Sequence, residues 1–353
     1  MKKLHFLMLF VALGLMIFPA AGLSAGPRYL FQDLSPYGYV GWGRALDIND
    51  SGQVIFNSRK FYTPPGSSIS IGGSGGPSSL NNAGQVVGHT WDINGAQWAF
   101  LWTIDQGFQA LPGYQDNMSV SVAYGINNLG QIVGTAYGMP VRWDGINSIT
   151  DLSTFDDGLL GPMFSGEAVA INDAGLIACQ IDATGYGQRG ALFTGTRWIV
   201  FNGLYPDGCP CYPKALNNKG EVVGASPSLA TGGGIHGFHW ANGTMRDLGT
   251  LPGRNTSEAL HINEAGQIVG TSYNSYYPDP YTDWVAVTWT SAGIQDLNTL
   301  VVNLPPKAVL RRAWAINNLG QIVGEFFDGN ERPFLLTPLP RVGSAALNLL
   351  LLD

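Results

Sequence analysis

Apolar residues along this chain fall into short β-branched or alternating runs that are separated by turn-forming residues. One pattern, Ile-Asn-x-x-Gly-Gln-Ile-Val-Gly, recurs with variations seven times. In the copy at residues 126–134, the side chain of Asn127 can close an Asx turn on its own backbone. Gly130 can adopt a positive φ, as a type I turn followed by a G1 bulge requires. Each copy is therefore predicted to form a tight β-hairpin.

The spacing of these hairpins predicts the architecture. Successive anchor asparagines lie 32, 46, 45, 45, 46 and 54 residues apart. A period of about 45 residues is the length of a four-stranded propeller blade, and repeats on this scale decide the fold before local propensity does. The anchor asparagines are Asn49, Asn81, Asn127, Asn172, Asn217, Asn263 and Asn317.

Two further strand signatures follow the hairpins. A third strand is indicated by runs such as Gly237-Phe238-His239-Trp240, and a fourth by Asp-Leu pairs such as Asp247-Leu248. Short connections between these strands predict an up-and-down sheet of four strands, with the Asp-Leu strand outermost.

The two chain ends complete one another in this scheme. Residues 31–34 form a fourth strand with nothing before it, and residues 333–336 form a third strand with no fourth after it. A linear solenoid would need capping repeats, and a closed ring protects its edges without them. We therefore predict an all-β, seven-bladed β-propeller of four-stranded antiparallel blades, closed by the N-terminal strand joining the C-terminal blade.

The residues before each asparagine predict how the first strand packs. Four residues before it lies Ala or Pro, and one residue before it lies Ile or Leu. In a regular strand these offsets lie on opposite faces, so we expect one thin and one bulky face. The copy at residues 172–179 lacks the Gln and the final Gly, so this blade is expected to pack differently.

The N-terminus has the features of a targeting segment. Lys2 and Lys3 precede an apolar run, and small residues follow it, which predicts a signal peptide over residues 1–25. The propeller is predicted over residues 26–340, and an apolar tail, too short to span a bilayer, over residues 341–353. We expect a secreted or cell-envelope protein with no integral membrane segment after cleavage.

Composition and charge exclude some partners. Only 12% of residues are charged, the formal net charge is −7, and the 48 glycines and 21 prolines favour turns over helices. Because a nucleic-acid partner requires a basic stripe that displaces counterions, none is expected.

The hairpins, the strand around His236 and the Asp-Leu-Gly-Thr-Leu-Pro-Gly run at residues 247–253 together resemble the HAF-repeat family of extracellular proteins. The resemblance covers nearly all of the mature chain, although Gly237 stands where the family has Ala. It implies an extracellular repeat protein and carries over no catalytic residues.

Function should lie at positions that vary between copies. In a propeller, the loop entering the first strand and the loop leaving the second lie on the same face. Positions five before and ten after each asparagine should therefore gather charged and aromatic side chains at one rim of the channel, as a ligand pocket needs. The candidate ligand-binding residues are Arg44, Trp91, Tyr137, Glu167, Glu258, Tyr273, Arg312 and Phe327.

The longest gap adds a second aromatic feature. It holds Tyr273, Tyr276, Tyr277, Tyr281 and Trp284, which form either a contact surface for sugar or protein or a loop that buries its own rings.

Because the repeats explain almost every patterned residue, we expect a secreted, non-catalytic scaffold that binds a carbohydrate or an extracellular protein at this rim. One alternative is a propeller-type glycoside hydrolase or polysaccharide lyase, which would need Glu167 and Glu258 within reach of one bond. Another is a cell-envelope structural protein without a ligand.

Metal and redox chemistry find little support in the residue pattern. Cys179, Cys209 and Cys211 allow one disulfide bridge at most, and Cys-Pro-Cys is too sparse for a zinc site. His236 and His239 should lie on opposite faces of a strand. We expect no cofactor and no metal.

Overall fold

The computed structural model describes residues 28–38, 43–113, 120–156, 158, 160, 164–183, 187–205, 209–230, 234–275 and 283–340. The predicted signal peptide, the C-terminal tail and Tyr276, Tyr277 and Tyr281 lie outside the described residues. Within the described residues, no helix has the length and apolar character needed to cross a membrane.

In the described part of the chain, the strands form seven four-stranded antiparallel sheets, which confirms the seven-bladed β-propeller. Blades 1 to 4 consist of β2 (Ala45–Ile48), β3 (Val54–Phe56), β4 (Lys60–Thr63) and β5 (Ser67–Ser70); β6 (Gly76–Leu80), β7 (Val86–Trp91), β8 (Gln97–Thr103) and β9 (Gly107–Ala110); β10 (Ser121–Ile126), β11 (Gln131–Ala136), β12 (Met139–Asp144) and β13 (Ile149–Asp151); and β14 (Ser165–Ile171), β15 (Ile177–Ala183), β16 (Gly187–Phe193) and β17 (Trp198–Phe201).

Blades 5 to 7 follow the same order. They consist of β18 (Tyr212–Leu216), β19 (Val222–Pro227), β20 (Ile235–Ala241) and β21 (Thr244–Asp247); β22 (Thr256–Ile262), β23 (Ile268–Tyr273), β24 (Val285–Thr290) and β25 (Gly293–Asp296); and β26 (Val309–Ile316), β27 (Ile322–Phe327), β28 (Glu331–Pro338) and the N-terminal strand β1 (Tyr29–Asp33). Strand β1 pairs with β28 from Tyr29 opposite Pro338 to Asp33 opposite Phe334.

The first strand of each blade borders a central channel, and the Asp-Leu strand lies at the opposite edge of its sheet. The aspartate of this signature ends the strand and caps the turn that follows. Asp151 and Asp296 each accept a hydrogen bond from the backbone N–H two residues later, in the 3₁₀ turns Leu152–Thr154 and Leu297–Thr299. The adjacent leucines, Leu152 and Leu297, are fully buried in the clusters between blades.

The anchor asparagine uses its whole side chain, as Asn127 shows. Its Oδ1 accepts from the backbone N–H groups of Leu129 and Gln131 at 3.1 and 2.9 Å. Its Nδ2 donates to Gln131 Oε1 at 2.8 Å and to the backbone carbonyl of Asn172, in the next blade, at 3.0 Å. The Asn and Gln of the motif therefore form the turn and join neighbouring blades together.

The inter-blade bond repeats at every step. Each anchor Nδ2 donates to the carbonyl of the next anchor at 2.9 to 3.2 Å, and Asn317 donates to Asn49. We call this set of seven bonds the asparagine ring. All seven anchor side chains are buried, so these bonds satisfy amide groups that solvent does not reach.

A second ring lies one residue further along. Each residue after an anchor donates its backbone N–H to the side-chain oxygen of the corresponding residue in the next blade, at 2.8 to 3.1 Å. We call these residues the polar ring; they are Asp50, Asn82, Asn128, Asp173, Asn218, Glu264 and Asn318. Burial would raise the pKa of Asp50, but hydrogen bonds from Asn318 and Asn82 lower it below its ordinary value.

The prediction of two unlike faces on the first strand is wrong. A β-bulge shifts the register between the residues four and two before each anchor, for example between Ala123 and Gly125. The extra residue reverses the alternation, so Ala123 and Ile126 pack into the same cluster between blades 2 and 3.

In five of the seven blades, the final glycine of the motif lies against the backbone at the bulge. Gly134 lies opposite the bulge, where a Cβ would collide with the carbonyl oxygen of Val122. Blades 1 and 4 have Phe56 and Cys179 at this position, each opposite an alanine at the bulge. Blade 4 also has Leu176 in place of the Gln. Blade 4 nevertheless keeps its four strands and its inter-blade bond. The expected difference in packing is therefore limited to the loss of the Gln side chain as a hydrogen-bond acceptor for Asn172 Nδ2.

We predict that Gly134→Ala lowers the free energy of unfolding by about 2 kcal/mol or more, because backbone must move to admit the methyl group. Gly76→Ala is the matched control, since a Cβ there meets no atom within 4 Å, and it should change stability by less than about 0.5 kcal/mol. Urea unfolding of both variants measures the difference. Equal stability of the two variants would contradict the bulge as the reason for the glycine.

Candidate functional site

The structure brings five of the eight predicted rim residues into one sector. This sector spans blades 6, 7 and 1, and the residues are Arg44, Glu258, Tyr273, Arg312 and Phe327. Five further side chains connect them: Trp284, Arg311, Trp314, Glu325 and Glu331. We call these ten residues the rim cluster.

Glu325 is the centre of the charged part of the rim cluster. It is 2% exposed, with its carboxylate 2.7 Å from Arg44 Nε and 3.3 Å from Arg312 Nη1. Burial raises the pKa of Glu325, and the two arginines oppose that shift. Burial likewise lowers the pKa of Arg312, and Glu325 opposes that change. The buried carboxylate is held in place by guanidinium groups from two blades.

Glu331 extends this network outward. Its carboxylate lies 3.7 Å from Arg44 Nη2 and 3.8 Å from Arg311 Nη1. The guanidinium of Arg311 also covers the ring of Phe327 at 3.8 Å. With Glu258, the rim cluster holds three arginines and three glutamates, so its formal charges balance.

A column of planar groups forms the other part of the cluster. Arg312 lies 3.5 Å above the ring of Trp284, which stacks on Tyr273 at 3.9 Å with 8° between the planes. The Tyr273 hydroxyl donates to Glu258 Oε1 at 2.9 Å. Burial and the neighbouring Glu258 raise the pKa of Tyr273, so this hydroxyl stays protonated. The column is fixed at both ends before any ligand arrives.

The other three predicted residues lie apart from the rim cluster. Trp91 and Tyr137, on blades 2 and 3, are 45% and 41% exposed. Glu167, on blade 4, accepts a 3.3 Å hydrogen bond from Tyr124, and burial together with Glu167 raises the pKa of Tyr124 to about 12. Since Glu167 and Glu258 bond different tyrosines in different blades, the described contacts do not join them as an acid pair.

Of the five connecting residues, the sequence indicated only Trp284, as an aromatic residue of the longest gap; the other four fall outside the two offsets sampled from each anchor. Trp314 lies three residues before its anchor, at the bulge, and Glu325 lies eight residues after it. The available signal was the concentration of charge in one blade, where Arg311, Arg312, Glu325 and Glu331 fall within two hairpins.

The channel holds a second candidate site, which the sequence did not predict. A cavity of about 300 Å³ is bordered by the first strands and their turns, and its polar lining includes Asp47, Tyr124, Lys214 and His261. Burial raises the pKa of Asp47 and lowers that of His261, and each residue opposes the shift of the other.

His236 and Asp247, two residues that carry the HAF resemblance, are hydrogen-bonded. His236 Nδ1 lies 2.9 Å from both carboxylate oxygens of Asp247, which also accepts from Ser228 Oγ and Gly249 N. Burial would raise the pKa of Asp247, but these hydrogen bonds lower it below its ordinary value. The serine donates to the aspartate, so the arrangement caps a turn and does not activate a nucleophile.

Metal-binding and thiol groups are not assembled into a site. In the ranges that the structure describes, no three His, Cys, Asp or Glu side chains converge as metal ligands. Cys179, Cys209 and Cys211 are free thiols, so the possible disulfide is not formed. Burial raises the pKa of Cys179 and Cys211, which keeps both thiols protonated.

The chain matches no protein-family model and no curated protein sequence. Solved structures with a similar fold include an extracellular domain assigned to a hybrid two-component system of B. thetaiotaomicron, at 11% identity and a TM-score of 0.44 over 88% of this chain. The chain spans only 40% of that structure.

Two others are matched over most of their length. A gluconolactonase from Xanthomonas campestris has 10% identity and a TM-score of 0.39, covering 89% of this chain and 95% of its own. TolB from Acinetobacter baumannii has 13% identity and a TM-score of 0.40, covering 84% and 79%. Similarity at this level concerns the fold and carries no inference about activity.

We predict that acid weakens the fold partly through Asp247. A carboxyl with a lowered folded pKa stabilises the protein above its unfolded pKa, and the contribution is lost as pH falls through the folded value. The free energy of unfolding should therefore fall from about pH 4 downward. In Asp247→Asn this slope should be shallower, whereas Asp105→Asn, at an exposed turn, should keep it. Identical slopes for all three proteins, measured by urea unfolding at each pH, would exclude this role.

Proposed function

We propose that the protein is an exported, non-catalytic propeller that binds a neutral carbohydrate at the rim cluster. The observation that carries the proposal is the charge balance of a preorganised, half-buried polar surface built on aromatic rings. Three arginines and three glutamates provide hydrogen-bond donors and acceptors without net charge. A neutral ligand with many hydroxyl groups satisfies both kinds of group, whereas an anion or a cation would meet half of them as like charges.

Preorganisation supports the same conclusion. The guanidinium of Arg312 and the Tyr273 hydroxyl are held by Trp284, Glu325 and Glu258 before a ligand binds. Because these groups are already ordered, ligand binding costs little side-chain entropy, so a small number of contacts can give a useful affinity. Export and membership of the HAF-repeat family are part of the proposal.

The test is a glycan array with the purified protein, followed by calorimetry on each ligand found. We predict that Tyr273→Ala weakens glycan binding about tenfold or more, because it removes the support of Trp284 and leaves Glu258 without its hydrogen bond. Trp91→Ala, on the same rim but outside the rim cluster, should retain the affinity of the unmodified protein within about twofold.

Three results would contradict this proposal. They are the absence of any glycan ligand, unchanged affinity in Tyr273→Ala, and cleavage of a bound glycan that Glu258→Gln abolishes without a change in melting temperature. The last result would identify a hydrolase or lyase.

A further inference from the structure

The first strands place opposite charges on two walls of the channel cavity. Asp47 lies on the first strand of blade 1, and Lys214 lies on the first strand of blade 5. Blades 1 and 5 are three steps apart, which is the largest separation possible in a ring of seven, so the two residues occupy opposite walls. Asp47 and Lys214 are thus opposite charges on the first strands, whereas the other carboxylates of the lining, on Asp50, Asp173 and Glu264, belong to the polar ring.

The Asp47 side is rigid. The Asp47 carboxylate accepts from the backbone N–H of Ile48 at 2.8 Å, from that of Leu80 at 3.0 Å, and from Ser79 Oγ at 3.0 Å. These donors from blades 1 and 2 fix its orientation and favour its charged form. One carboxylate lone pair is left for a donor in the cavity.

The Lys214 side lacks such partners. Lys214 is exposed to the cavity and, among the described residues, its ammonium forms no hydrogen bond or ion pair. His261 borders the cavity close enough to Asp47 for the two to interact electrostatically, and its Nδ1 accepts a 3.5 Å hydrogen bond from the backbone N–H of Ile316. The proton of this neutral imidazole therefore resides on Nε2, which makes it a donor.

The polar ring at the channel mouth selects by charge. Three of its seven side chains are carboxylates, on Asp50, Asp173 and Glu264, and the other four are carboxamides. The carboxylates disfavour the entry of simple anions, and Lys214 inside disfavours the retention of simple cations. A molecule with both charges and no net charge meets neither barrier.

We propose that the channel binds a small zwitterion, with its carboxylate on Lys214 and its ammonium group on Asp47. The cavity of about 300 Å³ admits up to about ten non-hydrogen atoms, judged by the volume of a water molecule in the liquid. The ligand class is thus that of free amino acids and short ω-amino acids. Of the rim cluster, Trp314 alone also borders this cavity, and Asp47 and Lys214 lie outside the cluster, so the site goes beyond the carbohydrate proposal.

Calorimetry with the whole protein tests this site. The probes are alanine, γ-aminobutyrate and 6-aminohexanoate, which increase the separation between the two charges. Hexanoate and hexylamine each lack one charge, and glucose lacks both. We predict that at least one zwitterion binds, and that the analogues bind about tenfold more weakly or not at all.

Lys214→Met is the decisive variant, because the lysine has no described partner whose loss would unfold the protein. It should abolish zwitterion binding, while Lys307→Met, at an exposed loop outside the cavity, should leave it unchanged. Asp47→Asn should also weaken binding, with its melting temperature recorded because Asp47 joins two blades.

The proposal is overturned if no zwitterion binds, if hexanoate or hexylamine binds equally well, if glucose is preferred, or if Lys214→Met keeps its affinity. Tyr273→Ala distinguishes this site from the rim cluster, since it should lose glycan and retain the zwitterion.

Discussion

The propeller depends on one hydrogen bond repeated seven times, from the amide of an anchor asparagine to the backbone carbonyl of the next anchor. Each bond is worth only about 1 kcal/mol net, but loss of a partner leaves a buried polar group whose desolvation costs about 1–3 kcal/mol. The same side chain also forms the hairpin turn, so turn formation and blade docking are linked. The turn bonds on Oδ1 hold the asparagine in the orientation from which its Nδ2 reaches the next blade.

This constraint divides the sequence into fixed and free positions. The asparagine and the turn glycine are the same in all seven copies, whereas Leu176 and Glu221 replace the glutamine and Phe56 and Cys179 replace the final glycine in single blades. The bulge places an extra residue toward the channel, and the residue type at the start of each first strand can differ between copies. Both candidate sites use positions of this kind: Lys214 and Trp314 lie at bulges, Arg44 immediately precedes its first strand, and Arg312 lies within β26 next to a further register shift. The scaffold therefore supports different chemistry at the rim and in the channel.

Sequence periodicity was sufficient to predict the seven blades, the order of strands within each blade and the outermost position of the Asp-Leu strand. It failed at the bulge, because an irregularity of one residue leaves no mark on a pattern of apolar positions. The inter-blade role of Asn127 was also hidden, since the turn alone explains an asparagine there. The rim residues were predicted by type, but only coordinates show that Glu325 joins Arg44 to Arg312 while Glu167 lies elsewhere.

Asn127→Asp tests the central role of the asparagine ring most directly. Aspartate keeps the oxygen that accepts from Leu129 and Gln131, and it lacks the N–H groups that reach Gln131 and Asn172. Urea unfolding at neutral pH should show a loss of about 3 kcal/mol or more, because the buried carbonyl of Asn172 and the half-buried Gln131 Oε1 then face a carboxylate. Asn94→Asp, at an exposed turn, serves as the control. A loss in Asn127→Asp below about 1 kcal/mol, no larger than in the control, would contradict the account.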